Sequence, residues 1–398
     1  MRTEVKILGA LWFFQVVNYI DRVAISFAAP SMMSSLSLSH ENFGLALSAF
    51  SVGYMLCQIP GGLLADRFGA RTLMIIAPVF WAFFTGATGL VVGLSGLIAV
   101  RALFGVAEGL SNMCGYKVIG DNFTKKAQST AVAIWATAFA VAPILAGPFV
   151  SHMLEQVGWR WLFVMLALPA LLVSVSNYFL IPKSAPKSKS APRPKAELGK
   201  IFRSPTFWII GFAYFCFNIA YWGYIGWMPT YLSSSRGIEI KALGLIGAIP
   251  YAFALAGLLT AGWLASGPLL NHRRQMLLVF YLLAASGFYF AYSAQSVAGS
   301  IAGLSMTAFF LYGSLGSLGA VILEYAPESV RATYSGSVTT LGQLGGAIAP
   351  WLIGYFVTQT GNFSIGFGFM AVGLIVAAIC LGILAMFHSA QTGSEELA

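Results

Sequence analysis

The feature that most constrains this chain is a succession of long apolar runs that continues from one end of the sequence to the other. Of its 398 residues, 58% are hydrophobic and only 9% are charged, whereas about a quarter of the residues in a soluble domain carry a charge. A bilayer core about 30 Å thick needs about 20 apolar residues in each helix that crosses it. We therefore expect an all-α membrane protein.

The apolar runs predict twelve transmembrane helices. The first run begins near Ile7 and has no small-residue cleavage site, so we interpret it as a retained helix and not as a signal peptide. The twelve helices are predicted at residues 7–33, 42–65, 71–93, 96–119, 127–154, 159–182, 204–233, 241–266, 273–293, 297–325, 330–358 and 362–388.

Positive charge is distributed unequally between the two sides of the predicted membrane. Most of the 22 Lys and Arg residues fall on one side, and the other side has only Arg160, Arg236 and Lys241. The positive-inside rule then places both termini in the cytoplasm. The net charge of +9 thus reflects topology and not binding to nucleic acid. We expect a monomer in the plasma membrane, which is the inner membrane of a bacterium.

A segment rich in Pro, Ser and Lys separates two halves of the chain. This segment, residues 183–203, is predicted to be a cytoplasmic linker. It leaves an N-terminal bundle of six helices at 1–182 and a C-terminal bundle of six helices at 204–398.

The two halves repeat each other at an offset of 200 to 203 residues. The sequence G-L-L-A-D from Gly62 matches G-W-L-A-S from Gly262, and Asp121 matches Glu324. Two similar bundles can pivot about a site near the middle of the membrane and open it to either side. The repeat therefore favours transport over catalysis.

The sequence G-L-L-A-D-R-F-G-A-R begins at Gly62 and runs past the end of the second predicted helix to Arg71. It resembles the signature loop of the major facilitator superfamily, G-x-L-a-D-r-x-G-r-r, except for Ala70, where a basic residue is usual. The resemblance implies a fold of two pseudo-symmetric six-helix bundles. An acid at a helix end can pair with nearby basic residues and cap a neighbouring helix. We expect gating roles for Asp66, Arg67, Arg71, Asp121 and Glu324.

Four ionisable residues lie inside apolar runs. Asp21 and Arg22 fall in the first helix, and Arg101 and Glu108 in the fourth. Each charge at a helix centre costs about 2.5–3.5 kcal/mol, so the four must pair, face water or titrate. Arg101 and Glu108 are two turns apart and share a helix face, whereas Asp21 and Arg22 point about 100° apart. A static ion-pair network is one interpretation, but the second half of the sequence has no matching cluster, which favours a functional role.

Three segments that contain these residues resemble the anion:cation symporter family. They are N-Y-I-D-R-V-A-I-S from Asn18, S-A-F-S-V-G-Y-M-L-C-Q-I-P-G-G from Ser48 and R-A-L-F-G-V-A-E-G from Arg101. The family includes bacterial proton-coupled importers of sugar acids such as galactonate and hexuronates. The resemblance implies proton-coupling roles for Asp21 and Glu108, and contacts to the substrate from Arg22, Arg101, Tyr54 and Gln58.

The residue chemistry agrees with that implication. While both acids are ionised they neutralise the two arginines, and protonation releases the guanidinium groups to bind a carboxylate in bidentate geometry. We expect proton symport that imports a small organic anion, with no cofactor and no metal, and sodium remains an alternative to protons. Further polar and aromatic candidates for the substrate pocket are Tyr19, Asn112, Tyr221, Trp222 and Gln343.

Two other functions remain open at this point. One is an exporter or antiporter of another solute, such as a polycarboxylate siderophore or a drug. The other is a membrane sensor that binds a solute without moving it. No P-loop, G-x-S-x-G or H-E-x-x-H motif occurs in the sequence, which argues against an ATP-driven pump and against a membrane hydrolase.

Overall fold

The structure is a computed structural model that describes residues 2–111, 114–183, 201–327 and 331–395. Within these ranges the protein is helical and no strand occurs. The predicted pocket residue Asn112 and most of the predicted linker lie outside the described residues.

The first half of the chain forms helices α1 to α7. Their bounds are Arg2–Leu36, His40–Phe68, Ala70–Thr88, Leu94–Gly109, Cys114–Asn122, Lys125–Ala136 and Ala138–Leu180. Helix α7 is 43 residues long, and Gly158 inside it has a φ of 73° and a ψ of 170°. Glycine reaches this positive φ without a steric penalty, so two of the predicted helices are joined by a kink in place of a loop.

The second half forms helices α8 to α13 over its described residues. Their bounds are Pro205–Ser234, Ile240–Ser266, Arg273–Ser293, Val297–Glu324, Arg331–Thr360 and Ser364–Glu395, and a short 3-10 helix, Leu270–His272, precedes α10.

Several helix boundaries differ from the sequence prediction, and two of the differences lie near candidate functional residues. The predicted helix 96–119 is divided into α4, which ends at Gly109, and α5, which begins at Cys114. Helix α2 continues to Phe68, and Gly69 ends it with a φ of 87°. Asp66 and Arg67 therefore lie in the last helical turn and not in a loop, because the helix continues until a residue that readily leaves the right-handed region.

Nine stretches of the described residues are helical, long and apolar enough to cross a membrane. One of them, Lys125–Leu180, has 56 residues, and at 1.5 Å per residue this is long enough to cross about twice. Helices α1 and α12, which carry more polar residues, have 35 and 30 residues. These lengths agree with the predicted all-α membrane fold.

The described residues divide into two compact units. Unit 1 takes those within 1–190, 225–248 and 350–361, and unit 2 takes the remainder. In unit 1, α1 and α3 pack against α7, and α2 packs against α4. In unit 2, α10 packs against α11 and α13. The division into bundles 1–182 and 204–398 with a linker between them remains a prediction.

Glycines bring the backbones of α2 and α4 into direct contact. A Cβ atom on Gly109 would lie 2.6 Å from the carbonyl oxygen of Tyr54, and one on Gly105 would collide with the carbonyl oxygen of Phe50. A Cβ atom on Gly53 of α2 would likewise collide with the backbone of Ala102. Small residues allow such an approach between membrane helices. The approach places one face of α2 beside the charged residues of α4.

Candidate functional site

An ion pair inside unit 1 joins α1 to α4. The Nε atom of Arg22 donates to Oε2 of Glu108 at 2.5 Å, and both side chains are buried. Asn18, one turn before Arg22 on α1, also lies within hydrogen-bonding reach of Glu108. The second carboxylate oxygen, Oε1, has no hydrogen-bond partner among the described residues. Glu108 is thus held by α1 while half of its carboxylate stays unsatisfied.

Asp21 points to a different helix from its neighbour Arg22. The hydroxyl of Thr85 on α3 donates to Oδ2 of Asp21 at 3.4 Å, and Asp21 is 1% exposed. Glu108 and Arg101 are its charged neighbours. The angle of about 100° between successive helical residues therefore directs the acid toward α3 and the arginine toward α4. All four buried charges lie in one cluster.

The ring of Phe50 lies beside both guanidinium groups. Its centroid is 5.3 Å from Cζ of Arg22 and 4.9 Å from Cζ of Arg101. Phe104, one turn after Arg101 on α4, lies 4.8 Å from the same Cζ. A cation within about 6 Å of an aromatic centroid is attracted to the ring. Phe50 therefore stabilises two cations that would otherwise repel each other.

Sequence reasoning did not single out Phe50, Thr85 or Asn18. Phe50 precedes Tyr54 by four residues, as Tyr54 precedes Gln58, so the three residues share one face of α2. This spacing could have identified Phe50. The role of Thr85 has no comparable signal, because hydroxyl residues are common in membrane helices.

The predicted aromatic residues of the first half surround Arg22. Its Cζ lies 4.7 Å from the ring centroid of Tyr54 and 4.9 Å from that of Tyr19. Gln58 is hydrogen-bonded to Tyr54. Tyr19 also packs against Phe139 of α7, with ring centroids 4.9 Å apart. The wall of the cluster is thus both aromatic and able to form hydrogen bonds.

The predicted pocket residues of the second half lie in unit 2. Tyr221 and Trp222 on α8 and Gln343 on α12 are all buried. The ring of Tyr221 lies 5.3 Å from that of Tyr312 on α11. Gly346 on α12 leaves room for the indole of Trp222, which a Cβ atom there would strike. Tyr221 and Trp222 therefore belong to an aromatic layer between α8, α11 and α12.

Asp66 pairs with Lys117 at the end of α2. The Nζ atom of Lys117 on α5 donates to Oδ1 of Asp66 at 2.6 Å and to the carbonyl oxygen of Ala65 at 3.0 Å. Arg67 lies over the ring of Phe68. Lys117 therefore neutralises the acid and caps the C-terminal carbonyls of α2.

The remaining residues predicted to act in gating make different contacts. Arg71 donates to the carbonyl oxygen of Tyr178 and lies over its ring. Glu324 accepts from Nη2 of Arg274 at 3.1 Å. Asp121 is half-buried in the last turn of α5.

Long apolar helices and a buried cluster of two acids and two arginines define a membrane transport protein, because such charges inside a membrane mark ion or solute pathways. The chain belongs to the Major Facilitator Superfamily, whose family model matches residues 11–350. This result confirms the superfamily inferred from the signature sequence, and its members are transporters and not enzymes.

Individual relatives cover nearly the whole chain. It is 29% identical to the hexuronate transporter of Bacillus subtilis over 95% of this chain and 93% of that protein. It is 26% identical to the probable L-galactonate transporter of Escherichia coli over 96% of this chain and 89% of that protein. The crystal structure of a D-xylose-proton symporter superposes with a TM-score of 0.79 at 15% identity, covering 95% of this chain and 97% of that one.

Proposed function

We propose that this protein imports a small organic anion, a sugar acid such as a hexuronate or galactonate, by proton symport. The observation that supports this most directly is the buried pair between Arg22 and Glu108, whose Nε and Oε2 atoms are 2.5 Å apart. The names of the relatives point to the same class of substrate.

Protonation of Glu108 is the coupling step in this proposal. A neutral carboxyl group no longer compensates Arg22, and the guanidinium becomes available for another anion. Because an unpaired charge inside a membrane is costly, the protonated protein then favours binding of a carboxylate. Asp21 acts in the same way on Arg101, its cationic neighbour. Proton and anion therefore enter the site together and leave it together.

The carboxylate of the substrate is proposed to bind between Arg22 and Arg101. Guanidinium groups match a carboxylate in bidentate geometry, and Phe50 keeps the two cations beside the same ring. The hydroxyl groups of a sugar acid would then meet polar and aromatic side chains. We propose this contact for Tyr19, Tyr54, Gln58 and Asn112. For Tyr221, Trp222 and Gln343 of unit 2 we propose the substrate-binding roles that the sequence predicts.

The remaining assignments concern topology and gating. We propose that the protein is a monomer in the inner membrane of a bacterium, with both termini in the cytoplasm, since positive charge concentrates on that predicted side. The pair between Asp66 and Lys117 would act as a gate that breaks and reforms during transport, together with Arg67, Arg71, Asp121 and Glu324.

Proteoliposomes with an imposed pH gradient test the proposal, with radiolabelled glucuronate and galactonate as probes. Wild-type protein should accumulate at least one of them when the outside is acidic. Glu108→Gln and Asp21→Asn should abolish accumulation and retain exchange down a concentration gradient. Glu155→Gln, which removes an exposed acid of α7 outside the cluster, is the matched control and should transport normally.

Other outcomes would contradict the proposal. Undiminished accumulation in both acid variants would show that Asp21 and Glu108 do not couple transport to protons. Uptake driven by an alkaline exterior would indicate an antiporter or exporter, and absence of counterflow with bound ligand would indicate a sensor. Replacing the pH gradient by a sodium gradient separates the two coupling ions.

A further inference from the structure

Two hydrogen-bond donors on α3 face the buried carboxyl group of Asp21. The hydroxyl of Thr85 donates to its Oδ2 atom at 3.4 Å. The indole of Trp81 lies four residues earlier, on the same face of α3, and is also within hydrogen-bonding reach of the carboxyl group. Trp81 is completely buried and Asp21 is 1% exposed. One face of α3 therefore directs two donors at one acid inside unit 1.

One atom of the indole and one atom of the acid have no partner yet. Nε1 of Trp81 and Oδ1 of Asp21 both lack a hydrogen bond within the part of the chain that the structure describes. A buried polar atom without a partner destabilises a protein. Because the first atom is a donor and the second an acceptor on side chains within reach of each other, a hydrogen bond between them satisfies both.

Phe14 packs against the indole of Trp81. The ring centroids are 5.1 Å apart and the ring planes are inclined by 71°, which is the edge-to-face arrangement that aromatic pairs prefer. Phe14 and Asp21 are seven residues apart on α1, close to two turns, so they lie on one face of this helix. The indole therefore packs along the face of α1 that carries the acid.

The chemistry of an indole distinguishes the two forms of a carboxyl group. The indole nitrogen can donate a hydrogen bond but cannot accept one. An ionised carboxylate accepts on both oxygens, so it can take one bond from Trp81 and another from Thr85. A protonated carboxyl group must give its own proton to an acceptor, which a hydroxyl offers and an indole does not. Trp81 therefore favours the ionised form of Asp21.

The charged neighbours of Asp21 come from α4. Arg101 attracts the ionised acid and Glu108 repels it. The adjacent Arg22 is directed to Glu108, and neither α3 nor α7 presents a charged side chain to Asp21 among the described residues. Arg101 acts on both acids, whereas the donors of α3 act on Asp21. A change in those donors should therefore alter one of the two proton sites.

We propose that Trp81 is a positioning residue for the proton site at Asp21, where it holds the carboxylate together with Thr85 after the proton has left. This inference rests on the proposed role of Asp21 in proton coupling. A hydrogen bond to the ionised form stabilises that form, so the indole helps the acid to release its proton in each transport cycle. Without the indole donor, Asp21 should keep its proton to a higher pH.

Infrared titration of the purified full-length protein tests the inference, because it follows the protonation of Asp21 independently of transport. The carboxyl band of Asp21 is identified by its loss in Asp21→Asn. Trp81→Phe retains an aromatic ring and removes the donor, and it should raise the pH of half protonation by about one unit. If Trp81→Phe does not fold, the benzothienyl analogue of tryptophan at position 81 keeps the shape of the indole without its N–H, and the same shift is required.

The matched control is Trp159→Phe. The indole of Trp159 donates to Oγ of Ser35 at 2.8 Å, so this variant also removes an indole donor to α1. Ser35 lies 14 residues after Asp21, about 21 Å along the helix. Trp159→Phe should therefore keep the wild-type pH of half protonation, even if it lowers the unfolding temperature.

An unchanged pH of half protonation in Trp81→Phe would overturn the inference, and so would an equal shift in Trp159→Phe. Accumulation in proteoliposomes separates this failure from that of the proposed function. If Asp21→Asn abolishes accumulation while Trp81→Phe leaves the titration unchanged, proton coupling stands and the role of Trp81 fails. If Trp81→Phe shifts the titration while Asp21→Asn accumulates substrate normally, the role of Trp81 stands and the coupling role of Asp21 fails.

Discussion

Arg22 and Glu108 are 86 positions apart in the sequence, and their Nε and Oε2 atoms lie 2.5 Å apart in the interior of unit 1. The side chain of Arg22 is 5% exposed to solvent and that of Glu108 is 0% exposed. Each residue therefore needs the opposite charge of the other, because an unpaired charge in an apolar interior destabilises the protein.

Removing one member of this pair should destabilise the protein more than removing both. Arg22→Gln or Glu108→Gln alone leaves a buried charge uncompensated, and breaking a buried pair in this way costs about 3–5 kcal/mol. The double variant, which removes both charges, should lose less than either single variant. Equilibrium unfolding in mixtures of SDS and mild detergent measures the free energy of unfolding for the cycle. Additive losses would show that the pair is not energetically coupled.

Replacing Phe50 should weaken anion binding without unfolding the protein. Phe50→Leu keeps apolar volume but removes the ring beside Arg22 and Arg101, and each desolvated cation–π contact contributes about 2 kcal/mol. The affinity for the transported sugar acid should fall at least about tenfold, as measured by calorimetric titration. The control is Phe149→Leu, which changes a side chain that is 46% exposed on α7. Equal affinities in the two variants would contradict the role of the ring.

Adding a methyl group at Gly105 should force α2 and α4 apart. A Cβ atom there collides with the carbonyl oxygen of Phe50, and an overpacked contact costs about 1–3 kcal/mol. Gly105→Ala should therefore lower both the unfolding temperature and the transport rate. Gly9→Ala on α1 provides the comparison, because its Cβ atom meets nothing within 4 Å. The idea fails if Gly105→Ala is as stable and active as Gly9→Ala.

Reversing the charge of Asp66 should affect transport more than stability. The Asp66 side chain is 75% exposed, and exposed ion pairs contribute about 0–1 kcal/mol. If the pair with Lys117 is a gate, Asp66→Lys should slow substrate counterflow while the unfolding temperature changes little. The exchanged variant, Asp66→Lys with Lys117→Asp, should recover part of the rate. No recovery would mean that the position of the acid matters more than the pair.

The structure agrees with the sequence on the type of fold and departs from it at particular residues. The kink at Gly158 joins two predicted helices without a loop, and Gly69 extends α2 over Asp66 and Arg67. Hydropathy averages over many residues, so it locates an apolar helix but not the single backbone angle that ends it. Phe50 is one apolar residue among many in α2, and only its position four residues before Tyr54 distinguishes it in the sequence.

By itself the sequence determined that the protein is a helical membrane transporter with four charges inside its apolar helices. These properties follow from composition along the chain. An unpaired backbone group is costly anywhere in a bilayer, so long apolar runs must be helices. A buried charge is equally costly, so the four charges stand out in the sequence. Only the tertiary structure decided that Glu108 pairs with Arg22, that Asp21 turns to Thr85, and that Phe50 contacts both arginines. Such pairings depend on how each helix is rotated and on how closely the helices approach each other. Contacts between residues far apart in the chain set both, and Gly53, Gly105 and Gly109 allow the close approach of α2 and α4.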